Sequence, residues 1–365
     1  MTLDAGGTNF VFTAVRGTEE VVEPVRLPAA ADDLEQSVGN IVAGFRQVSE
    51  TVAGEPVAIS FAFPGPADYT RGVIGDLANL PAYRGGVPLG PILEEEFGLP
   101  VFINNDGDLF VYGEAIAGFL PWLNAEMERA GSPKRFRNLL GVTLGTGFGG
   151  GIVTDGRLHL GDNSAAAEIW CLRNRLDRDT TAEEGVSIRG VRRVYAERTG
   201  IDVEDAPDPE EIFRISSGAA GGDSAAAREA FRRMGQVLGD ALANAVTLVD
   251  APIVIGGGLA GAHPLFLPAV IEEMNRAYIP AGGGSIPRME ITAFNLEDEV
   301  VREAFCSAAA LQLPVPGTGR TVAYDPMKRT GVGVTRLGTS RATAIGACAY
   351  ALARLDEGDG KVSQG

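Results

Sequence analysis

The sequence has few cysteines and histidines, which excludes several kinds of site. Its three cysteines, Cys171, Cys306 and Cys348, lie far apart and are odd in number, so we expect no disulfide framework. No pair of them has the spacing of metal ligands, so we also expect no structural zinc site. With only two histidines, His159 and His263, catalysis that depends on histidine has few candidates.

Long apolar runs and positive charge are also lacking. The sequence contains no run of 18 or more apolar residues and no signal-peptide pattern, so we expect a cytoplasmic protein without a membrane partner. Its net charge of −17 disfavours nucleic acid as a partner, because an acidic surface repels phosphate. A length of 365 residues predicts about two domains with room for a full core.

Glycine, in contrast, is abundant and clustered. The sequence has 49 glycines, about twice the average usage. "LDAGGTNF" (3–10) and "LGTGFGGG" (144–151) each predict a strand, a glycine turn and a strand, which hints at an internal duplication. "IGGGLAG" (255–261) predicts a strand, a glycine turn and a helix. A turn without side chains exposes backbone N–H groups that can hold phosphate, although a plain hairpin explains the first turn as well.

Two of the turns match the dinucleotide fingerprint G-x-G-x-x-G. In "GTGFGG" (145–150) a strand follows where that fingerprint needs a helix, and after "GGGLAG" (256–261) no acidic residue is placed to bind a ribose. The Walker A pattern is absent as well. A dehydrogenase is therefore disfavoured. The two hairpin turns would instead grip nucleotide phosphates, while the third turn approaches the adenosine.

A polar cluster supplies a candidate base. "NNDGD" (104–108) places Asn105, Asp106 and Asp108 between a predicted strand at 100–104 and a predicted helix at 107–118. A helix N-cap explains one such residue, but the cluster has more polar residues than a cap requires. An aspartate at a strand end, near a helix N-terminus, can take a proton from a bound hydroxyl while its own charge is stabilised.

The order of the predicted elements is typical of an α/β fold. Helices are predicted over 31–53, 88–97, 107–118 and 341–355, and strands over 57–63, 100–104, 138–144, 152–160 and 287–294. Residues 119–137 are predicted to be an inserted connection with one short helix, and residues 313–339 give no clear pattern.

Six motifs resemble, in order and spacing, those of the ROK family of bacterial sugar kinases. They are "LDAGGTNF", "PGPAD", "NLP", "NND", "LGTGFGGG" and "IGGGLAG". The resemblance implies the actin-like ATPase fold, with two ribonuclease-H-like α/β lobes around a central cleft. It also implies a small lobe of residues 1–117 plus about 341–365, and a large lobe of residues 118–340.

The family pattern implies a role for each matching residue. Asp106 is expected to be the general base that takes the proton from a sugar hydroxyl, and Asn79 and Asn105 are expected to bind the sugar. Asp4 is expected near Mg²⁺, through water. The matches expected to bind ATP are Gly6, Gly7, Thr8, Gly145, Thr146 and Gly147 at the phosphates, and Gly257 and Gly258 at the adenosine. These groups suffice for phosphoryl transfer, because that reaction depends mainly on positioning and charge stabilisation.

One stretch departs from the family pattern. In "AEIWCLRN" (167–174), Glu168 matches the sugar-binding glutamate, but Trp170 replaces a glycine and Cys171 replaces a histidine. The cysteines of the family's zinc motif are missing, so no structural zinc is expected. Trp170 would either stack on the sugar or fill the space left by the zinc motif. A second sugar-binding glutamate is expected at Glu183, or at Glu184 if the match slips by one residue.

The resemblance implies an ATP- and Mg²⁺-dependent hexose kinase that acts on the 6-hydroxyl of glucose or a similar hexose. An N-acylhexosamine kinase and a fructose-type kinase are alternatives, and polyphosphate is an alternative donor. A non-catalytic sugar-binding or sugar-sensing protein is the alternative from another class. A DNA-binding regulator is disfavoured, since the first glycine turn begins at residue 5, where regulatory relatives carry a preceding DNA-binding segment. Relatives are commonly dimers, so a homodimer is also an expectation.

Overall fold

Helices and strands alternate along most of the chain, as the sequence predicts. The computed structural model describes residues 1–6, 8–77, 80–307 and 311–362, with side chains up to residue 357. The α-helices in these residues are α1 (Leu34–Thr51), α2 (Leu89–Phe97), α3 (Asp106–Ile116), α4 (Phe119–Arg129), α5 (Glu183–Val186), α6 (Ile188–Thr199), α7 (Pro209–Ser216), α8 (Ser224–Val249), α9 (His263–Met274), α10 (Glu299–Cys306) and α11 (Thr339–Val362). The strands are β1 (Thr2–Ala5), β2 (Asn9–Thr13), β3 (Val15–Arg16), β4 (Glu19–Glu20), β5 (Val25–Pro28), β6 (Ile59–Ala62), β7 (Ala67–Asp68), β8 (Val73–Ile74), β9 (Val101–Asn104), β10 (Leu139–Leu144), β11 (Phe148–Thr154), β12 (Arg157–Leu158), β13 (Ile253–Gly256), β14 (Ala277–Tyr278), β15 (Ile286–Pro287), β16 (Thr292–Asn295), β17 (Leu311–Pro314), β18 (Thr321–Tyr324) and β19 (Arg329–Val334).

The chain divides into two units. The first unit comprises Met1–Gly118, Gly151–Ala166 and Leu337–Gly365, and the second comprises Phe119–Gly150 and Ala167–Arg336. Residues 151–166, which the sequence analysis places in the large lobe, belong to the first unit. The physical reason is that β11 runs on against the start of α3, where a Cβ on Gly151 would lie 2.7 Å from the carbonyl oxygen of Gly107.

The main sheet of the first unit has the strand order β5-β2-β1-β6-β9. Strand β1 pairs antiparallel with β2 and parallel with β6, and β6 pairs parallel with β9. In this register Asp4 lies opposite Ala62, and Ala62 lies opposite Asn104. The carboxyl ends of β1, β6 and β9 therefore form one edge, which is where α/β sheets place their ligands.

Helix α1 covers one face of this sheet over an aromatic core. The Phe45 ring contacts the Phe12 ring edge to face at 5.1 Å and lies 5.7 Å from the Phe61 ring. All three rings are buried. The helix begins after Asp33, whose carboxylate accepts the N–H of Gln36 at 3.0 Å and thereby satisfies a donor at the helix start.

Helices α3 and α11 pack backbone to backbone at two glycines. A Cβ on Gly113 of α3 would lie 1.9 Å from the carbonyl oxygen of Ala342, and a Cβ on Gly346 of α11 would lie 1.9 Å from the carbonyl oxygen of Leu109. Only glycine permits this approach. Because α3 begins at Asp106, the contact fixes the element that carries the candidate base.

In the second unit the main sheet has the strand order β11-β10-β13-β19-β16, with β10, β13, β19 and β16 paired in parallel. The end of β11 continues into the first unit, where it pairs antiparallel with β12. The glycine turns after β10 and β13 therefore follow neighbouring strands of one sheet.

Strand β19 lies inside residues 313–339, the stretch for which the sequence gives no clear pattern. Its sequence, RTGVGV, has glycines where an apolar strand would have side chains. A Cβ on Gly331 would lie 2.4 Å from Cδ1 of Leu296, and a Cβ on Gly333 would lie 2.6 Å from the ring of Phe119. Neighbouring side chains therefore fill the space that a strand residue normally fills.

The segment 119–137, predicted to be an inserted connection with one short helix, contains a helix in the structure. Its helix, α4, is amphipathic and buries Phe119, Leu120, Leu123 and Met127, so it is part of the packed unit. The strand predicted over 152–160 ends at Thr154, turns, and resumes as β12. Among the helices described, none has the length and apolar character needed to cross a membrane.

The glycine contact between α3 and α11 predicts the effect of a single methyl group. Gly346→Ala is expected to lower the free energy of unfolding by about 1–3 kcal/mol or more, because the opposing atom belongs to the backbone and cannot rotate away. Gly39→Ala is the matched control: Gly39 lies in α1, and its Cβ would meet open space. It is expected to be neutral or to stabilise by up to about 1 kcal/mol. Thermal unfolding measures both, and a Gly346→Ala protein as stable as wild type would contradict the packing.

Candidate functional site

The first glycine turn joins β1 to β2. The N–H of Gly6 donates to the carbonyl oxygen of Asn9 at 3.1 Å, and a Cβ on Gly6 would lie 2.9 Å from the same oxygen. Thr8 is exposed, and its carbonyl oxygen accepts the N–H of Ala29 at 3.0 Å. Gly7 lies outside the described residues. The turn is thus tight at Gly6, and both Gly6 and Thr8 are exposed.

Two predicted site residues meet at the carboxyl edge of the first sheet. The strand register places Asp4 on β1 and Asp106 just beyond the end of β9. Both residues line one cavity of about 350 Å³, whose walls all belong to the first unit. Thr339, Ser340 and Thr343 of α11 line the same cavity. The cavity therefore combines three carboxylates, of Asp4, Asp106 and Glu20, with hydroxyl groups and the guanidinium of Arg26, in a space large enough for a small ligand.

Burial raises the pKa of Asp106 above its ordinary value, and the negative charge of Asp4 adds to the rise. Hydrogen bonds from the backbone N–H groups of Gly107 and of Asp106 itself act in the opposite direction, the former at 2.9 Å. The side chain is nevertheless reached by solvent. Asp106 is thus an exposed carboxylate in the wall of this cavity, accessible to a ligand, and the protein around it makes it bind a proton more readily than an aspartate in water.

Asn105 is the N-cap of α3. Its side-chain oxygen accepts the N–H of Gly107 at 2.8 Å, and its amide nitrogen donates to the hydroxyl of Tyr69 at 3.4 Å. Tyr69 in turn donates to the carbonyl oxygen of Phe63 at 3.0 Å. Tyr69 thus holds the predicted sugar-binding amide in place, a contact that no local sequence signal reveals. The other predicted sugar-binding asparagine, Asn79, lies outside the described residues.

In the second unit, two glycine turns pack on each other. Strands β10 and β13 run parallel with Thr143 opposite Gly256, so both turns follow at the same edge. Gly257 has a φ of +87°, and a Cβ there would lie 2.3 Å from the carbonyl oxygen of Leu144. A Cβ on Gly258 would meet open space. Gly257 is therefore required by packing, whereas Gly258 leaves a surface that a ligand can approach.

The turn at 145–147 is held from several sides but keeps two backbone donors. The N–H of Ile188 donates to the carbonyl oxygen of Gly145 at 2.9 Å, and the N–H of Gly145 donates to the carbonyl oxygen of Gly147 at 3.0 Å. In the part of the chain that the structure describes, the amides of Thr146 and Gly147 have no acceptor. Adjacent free N–H groups of this kind form an anion-binding cradle.

The two candidate glutamates of α5 make different contacts. Glu183 accepts the backbone N–H of Phe148 at 3.0 Å and pairs with Arg189 at 2.6 Å. Glu184 pairs with Arg189 at 2.7 Å and with Arg193 at 3.0 Å, and these arginines lower its pKa. Glu183 therefore lies against the glycine turn, whereas Glu184 is engaged by two arginines. The choice of Glu183 for the sugar stays a prediction that this placement favours.

Glu168, the other predicted sugar-binding acid, accepts a hydrogen bond from the indole N–H of Trp170. Trp170 is 40% exposed, so it does not fill a closed space. Burial raises the pKa of the nearby Cys171 thiol, and the charges of Glu168 and Glu183 raise it further. The charges of Glu168 and Glu183 thus both reach Cys171, and Trp170 orients Glu168.

A β-bridge and an ion pair hold the loop that follows. Arg173 and Thr181 form a β-bridge, and Arg175 pairs with the buried Glu273 at 2.7 Å. No group of three or more histidine, cysteine, aspartate or glutamate side chains suited to a metal ion occurs among the residues described.

Comparisons with known proteins agree with the motif order. The family model described as ROK family matches residues 1–299. A solved structure of glucokinase from Parabacteroides distasonis is 53% identical, covers 96% of each chain, and gives a TM-score of 0.89. N-acetyl-D-glucosamine kinase from Vibrio vulnificus is 30% identical over 292 residues, which are 74% of this chain and 86% of that protein.

A third relative shares the fold at lower identity. A ROK family glucokinase from Streptomyces griseus, solved in complex with glucose and AMPPNP, is 20% identical, covers 94% of this chain and 96% of that one, and gives a TM-score of 0.58. Together these likenesses confirm the predicted fold class, the actin-like ATPase fold built from two ribonuclease-H-like α/β units. The roles of individual residues stay predictions.

The contact between the two glycine turns of the second unit can be tested with adjacent substitutions. Gly257→Ala is expected to destabilise the protein, because the positive φ alone costs about 1–2 kcal/mol and the Cβ would strike a backbone oxygen. Gly258→Ala, one residue on, is expected to unfold at the wild-type temperature. Calorimetric melting of both variants gives the answer. Equal melting temperatures for the two would show that the close approach at Leu144 does not support the turns.

Proposed function

The chain belongs to the ROK family and is a sugar kinase, and we propose that it transfers the γ-phosphate of ATP to the 6-hydroxyl of glucose or a similar hexose. The observation that carries this proposal is that the Asp106 carboxylate, whose pKa is raised, lines one cavity with Asp4 at the carboxyl edge of the first sheet. A base whose pKa lies above that of a surface carboxylate is better matched to taking a proton from an alcohol.

Asp106 would act on the acceptor. Its carboxylate takes the hydroxyl proton as the sugar oxygen bonds to the γ-phosphorus, and the bond between that phosphorus and the bridging oxygen of ADP breaks. The N–H of Gly107 holds the carboxylate at the start of α3. Asn105 would bind the sugar beside it, held by Tyr69.

The glycine turns would hold the donor. The amides of Thr146 and Gly147 suit the phosphates, Gly6 and Thr8 would contribute from the first turn, and the open space at Gly258 suits the adenosine. The exposed carboxylate of Asp4 offers the oxygen ligands that Mg²⁺ prefers, directly or through water. When bound, Mg²⁺ would neutralise phosphate charge. A structure of the same fold holds glucose and AMPPNP, which supports ATP as a donor, and polyphosphate stays an alternative.

Glucose is the first candidate acceptor, because the relative that is 53% identical over 96% of the chain is described as a glucokinase. N-acetylglucosamine is the second candidate, since the Vibrio vulnificus relative is named for it. Glu168 and Glu183, whose charges both act on the Cys171 thiol, would bind sugar hydroxyls, and we expect the acceptor preference to depend on this part of the site. The fructose-type alternative has no support from these relatives.

We also infer a cytoplasmic location, which the three free thiols support because such thiols are typical of reducing compartments. A homodimer stays a prediction.

An ADP-release assay across hexoses and N-acylhexosamines tests the proposed function. Wild-type protein with Mg·ATP is expected to turn over glucose, and Asp106→Asn is expected to lower kcat by about 10²–10⁴-fold because the base is lost. Asp32→Asn, an exposed aspartate of the same unit, is the control and is expected to match wild type.

Two outcomes would contradict this function. If Asp106→Asn turns over sugar at the wild-type rate, Asp106 is not the general base. If no sugar is turned over, but one raises the melting temperature, the protein binds sugar without phosphorylating it.

A further inference from the structure

Arg189 connects the second glycine turn with both candidate glutamates. Its Nε donates to Glu184 at 2.7 Å, one terminal nitrogen donates to Glu183 at 2.6 Å, and the other donates to the carbonyl oxygen of Thr146 at 3.2 Å. All three guanidinium nitrogens are therefore engaged. The planar fork of arginine suits such simultaneous contacts, which a lysine cannot reproduce.

Glu183 holds the same turn from its other side. One carboxylate oxygen pairs with Arg189, and the other accepts the N–H of Phe148 at 3.0 Å. The second oxygen also lies 3.0 Å from where a Cβ on Gly147 would be. The backbone on both sides of Gly147 is thus held by one ion pair, Thr146 through Arg189 and Phe148 through Glu183.

This ion pair is only partly covered. The Arg189 side chain is 46% exposed and the Glu183 side chain 22% exposed, and such pairs contribute little while water competes for them. A carboxylate offers about four acceptor positions, so Glu183 can accept sugar hydroxyls in addition to its two present donors. A sugar bound at Glu183 would exclude water from the ion pair between Arg189 and Glu183. The ion pair would then hold the 145–147 turn more strongly.

We propose that Arg189 is a positioning residue that couples sugar binding at Glu183 to nucleotide binding at the 145–147 turn. This coupling rests on the proposed function, because it assigns the sugar to Glu183 and the phosphates to the turn. The first ligand to bind orders the turn, so the second ligand loses less conformational entropy when it binds. By linkage, each ligand then raises the affinity for the other by the same factor.

Arg193 provides a matched control. It lies on the same helix, α6, and pairs with Glu184 at 3.0 Å. Its described contacts include neither Glu183 nor Thr146. Arg193→Ala therefore removes one arginine from Glu184 and leaves the connection between Glu183 and the turn in place.

Calorimetric titration of AMPPNP with and without saturating glucose measures the coupling without turnover. For wild type, glucose is expected to lower the Kd of AMPPNP about 5-fold or more. Arg189→Ala is expected to weaken AMPPNP binding and to bring the ratio of the Kd without glucose to the Kd with glucose close to 1. Arg193→Ala is expected to keep the wild-type ratio. If Arg189→Ala does not fold, Arg189→Lys is the variant to titrate, and it is expected to lower the ratio because it cannot bridge Glu183 and Thr146.

The opposite results would overturn the coupling. If the Arg189 variants keep the wild-type ratio of Kd values, or if Arg193→Ala lowers that ratio as much as Arg189→Ala does, Arg189 does not transmit the coupling. A ratio of 1 in wild type would show that sugar and nucleotide binding are not coupled. These failures are distinguishable from failure of the proposed function, because wild type would still release ADP in a sugar-dependent manner. If wild type releases no ADP with any sugar, the proposed kinase function itself is wrong.

Discussion

In each unit, backbone packed directly on backbone holds the elements that carry the site. Helices α3 and α11 meet at Gly113 and Gly346, and this contact positions the helix that begins at Asp106. In the second unit Gly257 packs on Leu144, so the turns after two parallel strands support each other. A side chain at any of these positions would separate backbones that must touch. Glycine is therefore needed at Gly113, Gly346 and Gly257 for packing.

Local signals predicted much of the fold. The helices predicted over 31–53 and 88–97 are Leu34–Thr51 and Leu89–Phe97, because apolar spacing and capping act within a few residues. The central strand Arg329–Val334 gave no such signal. Its glycines accommodate Leu296 and Phe119, which come from other parts of the chain, and no local pattern records that packing.

In the candidate site, too, the sequence predicted some residues, while other contacts became visible only in the folded structure. The motifs identified Asp4, Asp106 and the glycine turns, and the strand register brings the two acids to one edge. The contacts of Tyr69 and Arg189 could not be predicted, since each depends on residues brought together only by folding. Trp170 donates a hydrogen bond to Glu168, whereas its sequence position predicted either stacking on the sugar or filling of the space left by the zinc motif.

We propose that desolvation at the sheet edge raises the pKa of Asp106 and suits it to act as the base. A pH profile of kcat/KM tests it most directly, because this parameter reports ionisations of the free enzyme. Activity needs the ionised carboxylate, so kcat/KM is expected to fall as pH drops through the pKa of Asp106, at a pH above the ordinary aspartate value of about 4. The residual activity of Asp106→Asn is expected to lack this acid limb, with unchanged melting temperature across the range as the control for folding. An acid limb at or below the ordinary value, or one that persists in Asp106→Asn, would contradict the account.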